Sequence, residues 1–92
     1  MKVIINRCWG GFHISDNVLK EYNKRTGKDI ENYNIDRADP VLIEIIERIG
    51  LDKAAGSSSS KLKIVEIPDG TPYTIFDYDG VEIVVDKRFV WE

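Results

Sequence analysis

The pattern of hydrophobic and polar positions predicts a strand followed by two helices. The β-branched run at residues 3–5 is typical of a strand. Ser15 is a suitable N-cap for a first helix over about residues 16–25, and Gly27 is a natural stop. A second helix over residues 41–49 has a broad apolar face, which indicates burial on more than one side.

The second helix has the strongest start signal in the chain. Asp39 can cap it, and Pro40 stands at the first helical position, where its missing N–H costs nothing. Gly50 closes the helix. The preceding residues 28–38 are polar and irregular, whereas residues 54–60 have the composition of a flexible loop.

The last third of the chain predicts three strands in an antiparallel arrangement. The first covers residues 62–67. The dipeptide Asp79-Gly80 between residues 73–78 and 81–86 is the strongest short hairpin signal available. The order β-α-α-β-β-β therefore indicates a single α+β domain over the whole chain, with a small antiparallel sheet packed against two helices.

The hairpin register follows from a two-residue turn. One face of the hairpin then carries the apolar pairs of its strands, and we expect that face to meet the second helix. Its members are Tyr78 with Val81, Phe76 with Ile83 and Thr74 with Val85. The other face carries Asp77 opposite Glu82, beside the apolar pair of Ile75 and Val84.

Composition places the chain among small globular domains. Its 92 residues are 42% hydrophobic, which is too apolar for a disordered chain. A chain this short buries only about 60–65% of the surface that its unfolded form exposes. Small domains often gain further stability from self-association, and we therefore expect a homo-oligomer.

The cysteine and histidine content and the apolar run lengths exclude several classes of protein. The single cysteine cannot form an internal disulfide, and one cysteine with one histidine is a poor structural zinc set, so no cofactor is expected. No apolar run approaches the roughly 20 residues of a membrane span, and residues 1–7 lack the apolar core of a signal peptide. We therefore expect a cytoplasmic protein without a membrane partner.

Charge is unevenly distributed along the chain. The total is 13 basic minus 16 acidic residues, or −3. Residues 1–30 carry six basic and three acidic groups, or +3, and the two following thirds carry −3 each. A binder of duplex nucleic acid would show a one-sided basic surface, which this pattern does not predict. An anion site in the N-terminal third is compatible with the distribution.

The densest cluster of chemically versatile side chains follows the first strand. Arg7 can hold a phosphate or carboxylate bidentately, while Trp9 or Phe12 can stack on a planar ring. The pair Gly10-Gly11 lets the backbone approach a ligand closely. The loop also leads to a helix N-terminus, where anions are favoured. The alternative is a strand-to-helix turn whose two aromatic side chains lie in the core.

Two residue pairs suggest catalysis. Cys8 and His13 lie close enough in sequence for a Cys–His nucleophile, but no third group orients them, and a buried structural Cys8 is the alternative. Asp77 opposite Glu82 could perform acid–base chemistry or bind a hard cation. The two carboxylates could equally point into water, or be neutralised by the basic pair 87–88 of another subunit.

Two further segments are candidates for binding. Residues 56–61 lack the second glycine and the Gly-Lys-Ser/Thr ending of a phosphate loop, and they precede a strand rather than a helix. They could form a lid with a basic end, or a disordered loop. The aromatic tail 89–91 predicts docking on this domain or on another chain, with a subunit contact slightly favoured.

Four sequence blocks carry a resemblance to known proteins. Residues 3–12 (VIINRCWGGF), 39–42 (DPVL), 61–69 (KLKIVEIPD) and 78–80 (YDG) resemble a family of small uncharacterised bacteriophage and prophage proteins. Members commonly have tyrosine in place of Trp9, so an aromatic group is expected to matter there. The resemblance implies expression in the bacterial host cytoplasm. By analogy with other small phage proteins, it also suggests a role against host defences.

The leading hypothesis is a homo-oligomeric, non-enzymatic phage protein that sequesters an anionic nucleotide-type small molecule without turnover. The expected ligand-binding residues are Arg7, Trp9, Gly10, Gly11 and Phe12, with His13, Arg37, Lys61 and Arg88 as charge partners. The alternative is a protein–protein inhibitor or adaptor that acts on a host protein through the aromatic tail. An enzyme that uses one of the two catalytic pairs is the third hypothesis.

Overall fold

A computed structural model describes residues 1–56 and 60–89. The element order expected from the sequence is confirmed apart from one additional short helix, and the protein is a mixed α+β fold. The strands are β1 (Lys2–Asn6), β2 (Leu62–Glu66), β3 (Tyr73–Tyr78) and β4 (Val81–Asp86), and the helices are α1 (Asp16–Thr26), α2 (Pro40–Ile49) and α3 (Leu51–Ala54). Single 3-10 turns occur at Asn32–Asn34 and at Lys87–Phe89.

The two main helices begin where their capping residues predict. The Ser15 hydroxyl accepts a hydrogen bond from the Val18 N–H, which fixes the start of α1. The Asp39 carboxylate accepts one from the Val41 N–H at 2.9 Å, with Pro40 at the start of α2. The short α3, which follows α2 directly, was not expected from the sequence.

The core lies between β1 and the helices α1 and α2. Its largest fully buried members are Ile4, Ile14, Val18, Tyr22, Leu42, Ile45 and Ile46. They come from the apolar faces that the sequence pattern identifies. At one end of this core, the Tyr22 hydroxyl donates a 2.6 Å hydrogen bond to the Asp39 carboxylate. This bond ties the middle of α1 to the start of α2.

In the described ranges, the strands form two antiparallel pairs, β1 with β2 and β3 with β4. The hairpin register is the expected one, with Asp77 opposite Glu82. Its two-residue turn has φ values of 53° at Asp79 and 87° at Gly80. Positive φ at both positions is the signature of a type I′ turn, which Asp-Gly favours.

The hairpin face expected to meet the second helix points outward, so that prediction is wrong. Phe76 is 47% exposed, Tyr78 82% and Ile83 49%. The opposite face carries Glu82, which is only 4% exposed. Both faces of the hairpin carry apolar pairs, so alternation alone does not distinguish them. The deciding contact is one between Glu82 and Arg37, which are distant in sequence.

The Arg37–Glu82 ion pair joins the two strand pairs. The guanidinium donates to the two carboxylate oxygens at 2.7 and 2.9 Å. The same carboxylate accepts the Asn6 N–H at 2.7 Å, and the Arg37 carbonyl accepts the Ile4 N–H at 2.8 Å. Two N–H groups of β1 are thereby satisfied by this pair instead of by a neighbouring strand.

Candidate functional site

An open groove of about 730 Å³ lies on the outward face of the hairpin. It is lined by Arg7, Trp9, Phe76, Asp77, Tyr78, Asp79, Val81 and Ile83. Trp9 is 74% exposed, which excludes the interpretation of this side chain as part of the core. The volume falls within the range of small-molecule sites, and large exposed apolar groups on a small domain are typical of a binding surface.

Asn6 places the Trp9 loop against the hairpin turn. Its side-chain amide N–H groups donate to the carbonyls of Cys8 at 2.5 Å and Gly80 at 2.6 Å. Its amide oxygen accepts the Lys61 N–H at 2.8 Å. Asn6 is fully buried, and three segments of chain therefore meet at a single satisfied side chain. The position of Trp9 follows from this arrangement.

Gly80 permits the close approach of the turn to the Trp9 loop. A Cβ atom at this position would lie 2.2 Å from the Trp9 carbonyl oxygen and 2.9 Å from the Gly11 nitrogen. Its φ of 87° is also a conformation that other residues rarely adopt. The glycine is therefore required twice, by the turn and by the contact.

Arg7 supplies the cation of the groove. Its Nη1 donates to the Glu82 carbonyl oxygen at 2.8 Å, which orients the guanidinium. Its backbone N–H donates to the Lys61 carbonyl at 2.7 Å. The side chain is exposed, and its other donors have no partner among the described residues. A guanidinium held in this way can bind a carboxylate or phosphate.

Two carboxylates share the groove with Arg7. Asp77 accepts the Gly80 N–H at 2.7 Å and thereby supports the turn. Asp79 is exposed, and its carboxylate has no hydrogen-bond partner in the part of the chain that the structure describes. One guanidinium against two carboxylates gives the lining a net negative charge. A ligand with several negative charges would be repelled.

Phe12 and Arg37 lie beneath this surface rather than in it. The Arg37 guanidinium carbon stands 3.4 Å from the centre of the Phe12 ring, which is packed against the core. Because its guanidinium is also paired with Glu82, Arg37 has a structural role. We therefore do not retain it as a charge partner for a ligand, nor Phe12 as a stacking platform.

The other predicted site residues lie outside the groove lining. The Gly11 carbonyl accepts the Ser60 hydroxyl at 2.8 Å, and Gly10 is exposed beside it. His13 is exposed, and its carbonyl accepts the Gly56 N–H. The remaining two are Lys61, which has an exposed side chain, and Arg88, which forms a 2.6 Å ion pair with Asp86.

Neither predicted catalytic pair is assembled. No hydrogen bond joins Cys8 to His13 within the described residues. Glu82 is buried and binds Arg37 of the same chain, so both the prediction of two carboxylates in water and that of neutralisation by another subunit are wrong for Glu82. Within residues 1–56 and 60–89, no cluster of potential metal ligands occurs.

Two predicted binding segments, the lid and the aromatic tail, lie partly outside the described residues. The centre of the predicted lid, residues 57–59, and residues 90–91 of the aromatic tail lie outside the described ranges. Over those ranges, no helix combines the length and the apolar character that a bilayer crossing requires.

The sequence did not identify the hairpin residues of the groove. Phe76, Tyr78, Val81 and Ile83 were expected to meet the second helix, because their cross-strand pairs form an apolar face of the hairpin. A possible signal was Glu82 on the other face, since a buried acid needs a basic partner and Arg37 is available.

A second groove, of about 630 Å³, lies between the start of β1 and α2. Ala38, Pro40 and Ile43 form its apolar part, and the Lys2–Glu47 ion pair lies along it. It contains none of the predicted site residues and has no exposed aromatic side chain. The hairpin groove is therefore the stronger candidate site.

Comparisons with protein-family models, with curated proteins and with solved structures produce no match to this chain. The resemblance to small phage proteins accordingly stays a prediction. The interpretation of the site depends on its own geometry.

Proposed function

We propose that this is a non-enzymatic binding protein whose hairpin groove holds a small nucleotide-type molecule: a planar ring with one anionic group. The single observation that carries the proposal is the exposed indole of Trp9 in the same groove as the oriented guanidinium of Arg7. The two side chains offer the two interactions that such a ligand needs.

The ring-binding part of the proposal depends on the exposed aromatic side chains. Trp9, Phe76 and Tyr78 line one groove, and the indole is a large flat surface. Stacking of a base on an aromatic side chain contributes about 1–3 kcal/mol. A ring that covers these side chains would remove apolar area from water, which supports binding further.

The charge of the groove restricts the ligand. Arg7 provides one cationic partner, whereas Asp77 and Asp79 disfavour additional negative charge. We therefore propose a monophosphate or a phosphodiester rather than a triphosphate as the ligand class.

Binding without turnover is part of the proposal. It is supported by the engagement of Glu82 with Arg37, which occupies one of the two carboxylates of the predicted acid–base pair. In the setting that the phage resemblance implies, such a protein would deplete a nucleotide signal in the cytoplasm of the host. The homo-oligomer stays a prediction, and it must leave the groove open.

The test is a calorimetric titration of the protein with nucleoside 5′-monophosphates. We expect Trp9→Ala to weaken binding by about tenfold or more, because the stacking surface is lost. Trp9→Tyr should retain most of the affinity. Arg7→Gln should lower the affinity for the monophosphates but leave the affinity for the uncharged nucleosides unchanged, since only the phosphate needs the guanidinium.

A matched control is Lys53→Gln, which removes an exposed cation on α3, outside the groove. It should leave the affinity unchanged apart from a small general effect of net charge. If Trp9→Ala and Arg7→Gln are folded and bind as the unmodified protein does, the groove is not the site. If no monophosphate binds to the unmodified protein, the proposed ligand class is wrong.

A further inference from the structure

Resting on the proposed function, we propose that Asp79 makes the groove selective for a guanine ring. The Asp79 carboxylate would accept the two adjacent N–H donors of the guanine edge while the ring stacks on Trp9. Arg7 would bind the phosphate at the other end of the ligand. The inference concerns which base the site prefers, whereas the proposed function requires only that nucleotides bind.

Asp79 has a carboxylate available for a ligand. It occupies the first position of the hairpin turn with φ 53°, at the tip of the groove, and it is exposed. The neighbouring Asp77 differs, because one of its oxygens already accepts the Gly80 N–H at 2.7 Å. Both oxygens of Asp79 therefore remain open among the described contacts.

The separation of the charged groups suits a mononucleotide. The Arg7 guanidinium binds the carbonyl of Glu82, three residues along the chain from Asp79. At a rise of about 3.3 Å per residue, the backbone of Asp79 lies within about 10 Å of the carbonyl that holds the Arg7 guanidinium, before the reach of the two side chains is added. Trp9 lies beside the same turn, since its carbonyl oxygen approaches Gly80.

The chemistry of the base edges then distinguishes the nucleotides. Guanine presents N1–H and the 2-amino group side by side, and a carboxylate can accept both in a bidentate manner. Adenine presents an acceptor at N1, which a carboxylate repels, and hypoxanthine keeps N1–H but lacks the 2-amino group. Cytosine and uracil each offer a single donor beside an acceptor. Only guanine offers one hydrogen-bond donor to each of the two carboxylate oxygens of Asp79.

The experiment compares GMP, IMP and AMP in calorimetric titrations with the full chain. We expect GMP to bind about tenfold more tightly than AMP, and IMP to lie between them, as each lost charge-assisted hydrogen bond weakens the complex. Asp79→Asn should reduce the ratio of GMP to AMP affinity to near one. The same variant should bind AMP slightly more tightly, because the carboxylate that repels the N1 acceptor of adenine is replaced by an amide that can donate to it.

Asp79→Asn is suited to this test because it preserves the fold. Asn-Gly is the preferred dipeptide of a type I′ turn, and asparagine tolerates positive φ, so the urea midpoint should not fall. The control Asp29→Asn removes one exposed carboxylate elsewhere and should keep the preference for GMP.

Each outcome has a distinct meaning. If monophosphates bind and Trp9→Ala weakens them, but GMP and AMP bind equally, the inference is wrong and the proposed function stands. The inference also fails if the preference for GMP survives in Asp79→Asn. If none of the three nucleotides binds, the inference is wrong, and a titration with the pyrimidine monophosphates then decides whether the proposed ligand class is wrong as well.

Discussion

Gly80 is the point at which the hairpin turn touches the Trp9 loop, and no larger residue fits there. A Cβ would approach the Trp9 carbonyl oxygen to 2.2 Å, and the atoms that it would meet in Trp9 and Gly11 are all backbone atoms. Neither can move aside as a flexible side chain would. The contact also holds the backbone of Trp9, whose indole lines the proposed site.

We expect Gly80→Ala to lower the free energy of unfolding by at least about 2 kcal/mol, because alanine is strained at positive φ and clashes with the loop backbone. Urea denaturation followed by circular dichroism measures the change. The matched control is Gly70→Ala: φ there is 80°, but a Cβ would meet nothing within 4 Å. Equal losses in the two variants would show that the clash does not matter.

For these single residues, the sequence predicts the turn at Asp79-Gly80 but not the contact of Gly80 with the Trp9 loop. Asp79-Gly80 correctly indicates a two-residue hairpin, since positive φ is a local property of the dipeptide. The need for glycine at the Trp9 carbonyl arises from segments about 70 residues apart in the chain, and no local pattern encodes it.

Among the elements, α1 and α2 are joined by the hydrogen bond from Tyr22 to Asp39. Burial and this bond raise the pKa of Tyr22 to about 12. Burial alone would raise the pKa of Asp39, but hydrogen bonds from Tyr22 and from the first amides of α2 outweigh it and lower that pKa. The bond therefore holds a neutral tyrosine against a charged carboxylate.

Because the pKa of Tyr22 is raised in the folded protein, the contact between α1 and α2 loses stability at alkaline pH. An unfolded tyrosine loses its proton near pH 10, so the contribution is complete below that pH and is lost as the pH rises to about 12. We expect Tyr22→Phe to lower the free energy of unfolding by about 2 kcal/mol at neutral pH. The difference in free energy of unfolding between Tyr22→Phe and the unmodified protein should shrink between pH 10 and pH 12.

Urea titrations of both proteins at a series of pH values provide the measurement. Tyr78→Phe is the neutral-pH control, because that hydroxyl belongs to a side chain that is 82% exposed and its loss should change little. A gap between Tyr22→Phe and the unmodified protein that stays constant across the alkaline range would contradict the assignment.

Element boundaries were largely predictable because capping residues act locally. Ser15, Asp39 and Gly27 begin or end their helices as their chemistry requires. The sequence did not predict α3, since four residues carry too little periodicity. It also misassigned the hairpin faces, because both carry apolar residues and only the burial of Glu82 decides between them.

For the molecule as a whole, the Arg37–Glu82 pair holds the two strand pairs together. The glutamate side chain is 6% exposed and the arginine side chain 19%. Such a pair is not a net source of stability compared with apolar residues, but removal of one partner leaves the other charge buried and unpaired.

We expect Glu82→Gln to lower the free energy of unfolding by about 3–5 kcal/mol, a large part of the stability of a domain of this size. Arg37→Met with Glu82→Leu should be more stable than Glu82→Gln, since neither charge remains. Urea denaturation of Arg37→Met, of Glu82→Leu and of the double variant gives the coupling energy. Lys2→Gln, which breaks the exposed Lys2–Glu47 pair, should change stability little. A similar loss in Lys2→Gln and Glu82→Gln would contradict this role.

The class and order of elements follow from local patterns, but the way in which the parts meet does not. Arg37 and Glu82 are 45 residues apart, and in sequence each suggested a different function. The sequence predicts Arg37 as a ligand-binding residue and Glu82 as a member of a carboxylate pair, but in the structure the two side chains bind each other. Of the candidate site, Arg7 and Trp9 were identified because exposed chemistry at a loop is a local feature.

The attachment of the hairpin through one face has a consequence for how this protein can diversify. The inner face and the turn hold it in place, chiefly through Glu82 and Gly80. The outward residues Phe76, Tyr78 and Ile83 contribute little to the core. Those positions can therefore change identity without changing the fold, and a display library randomised there would convert the hairpin into a general recognition scaffold.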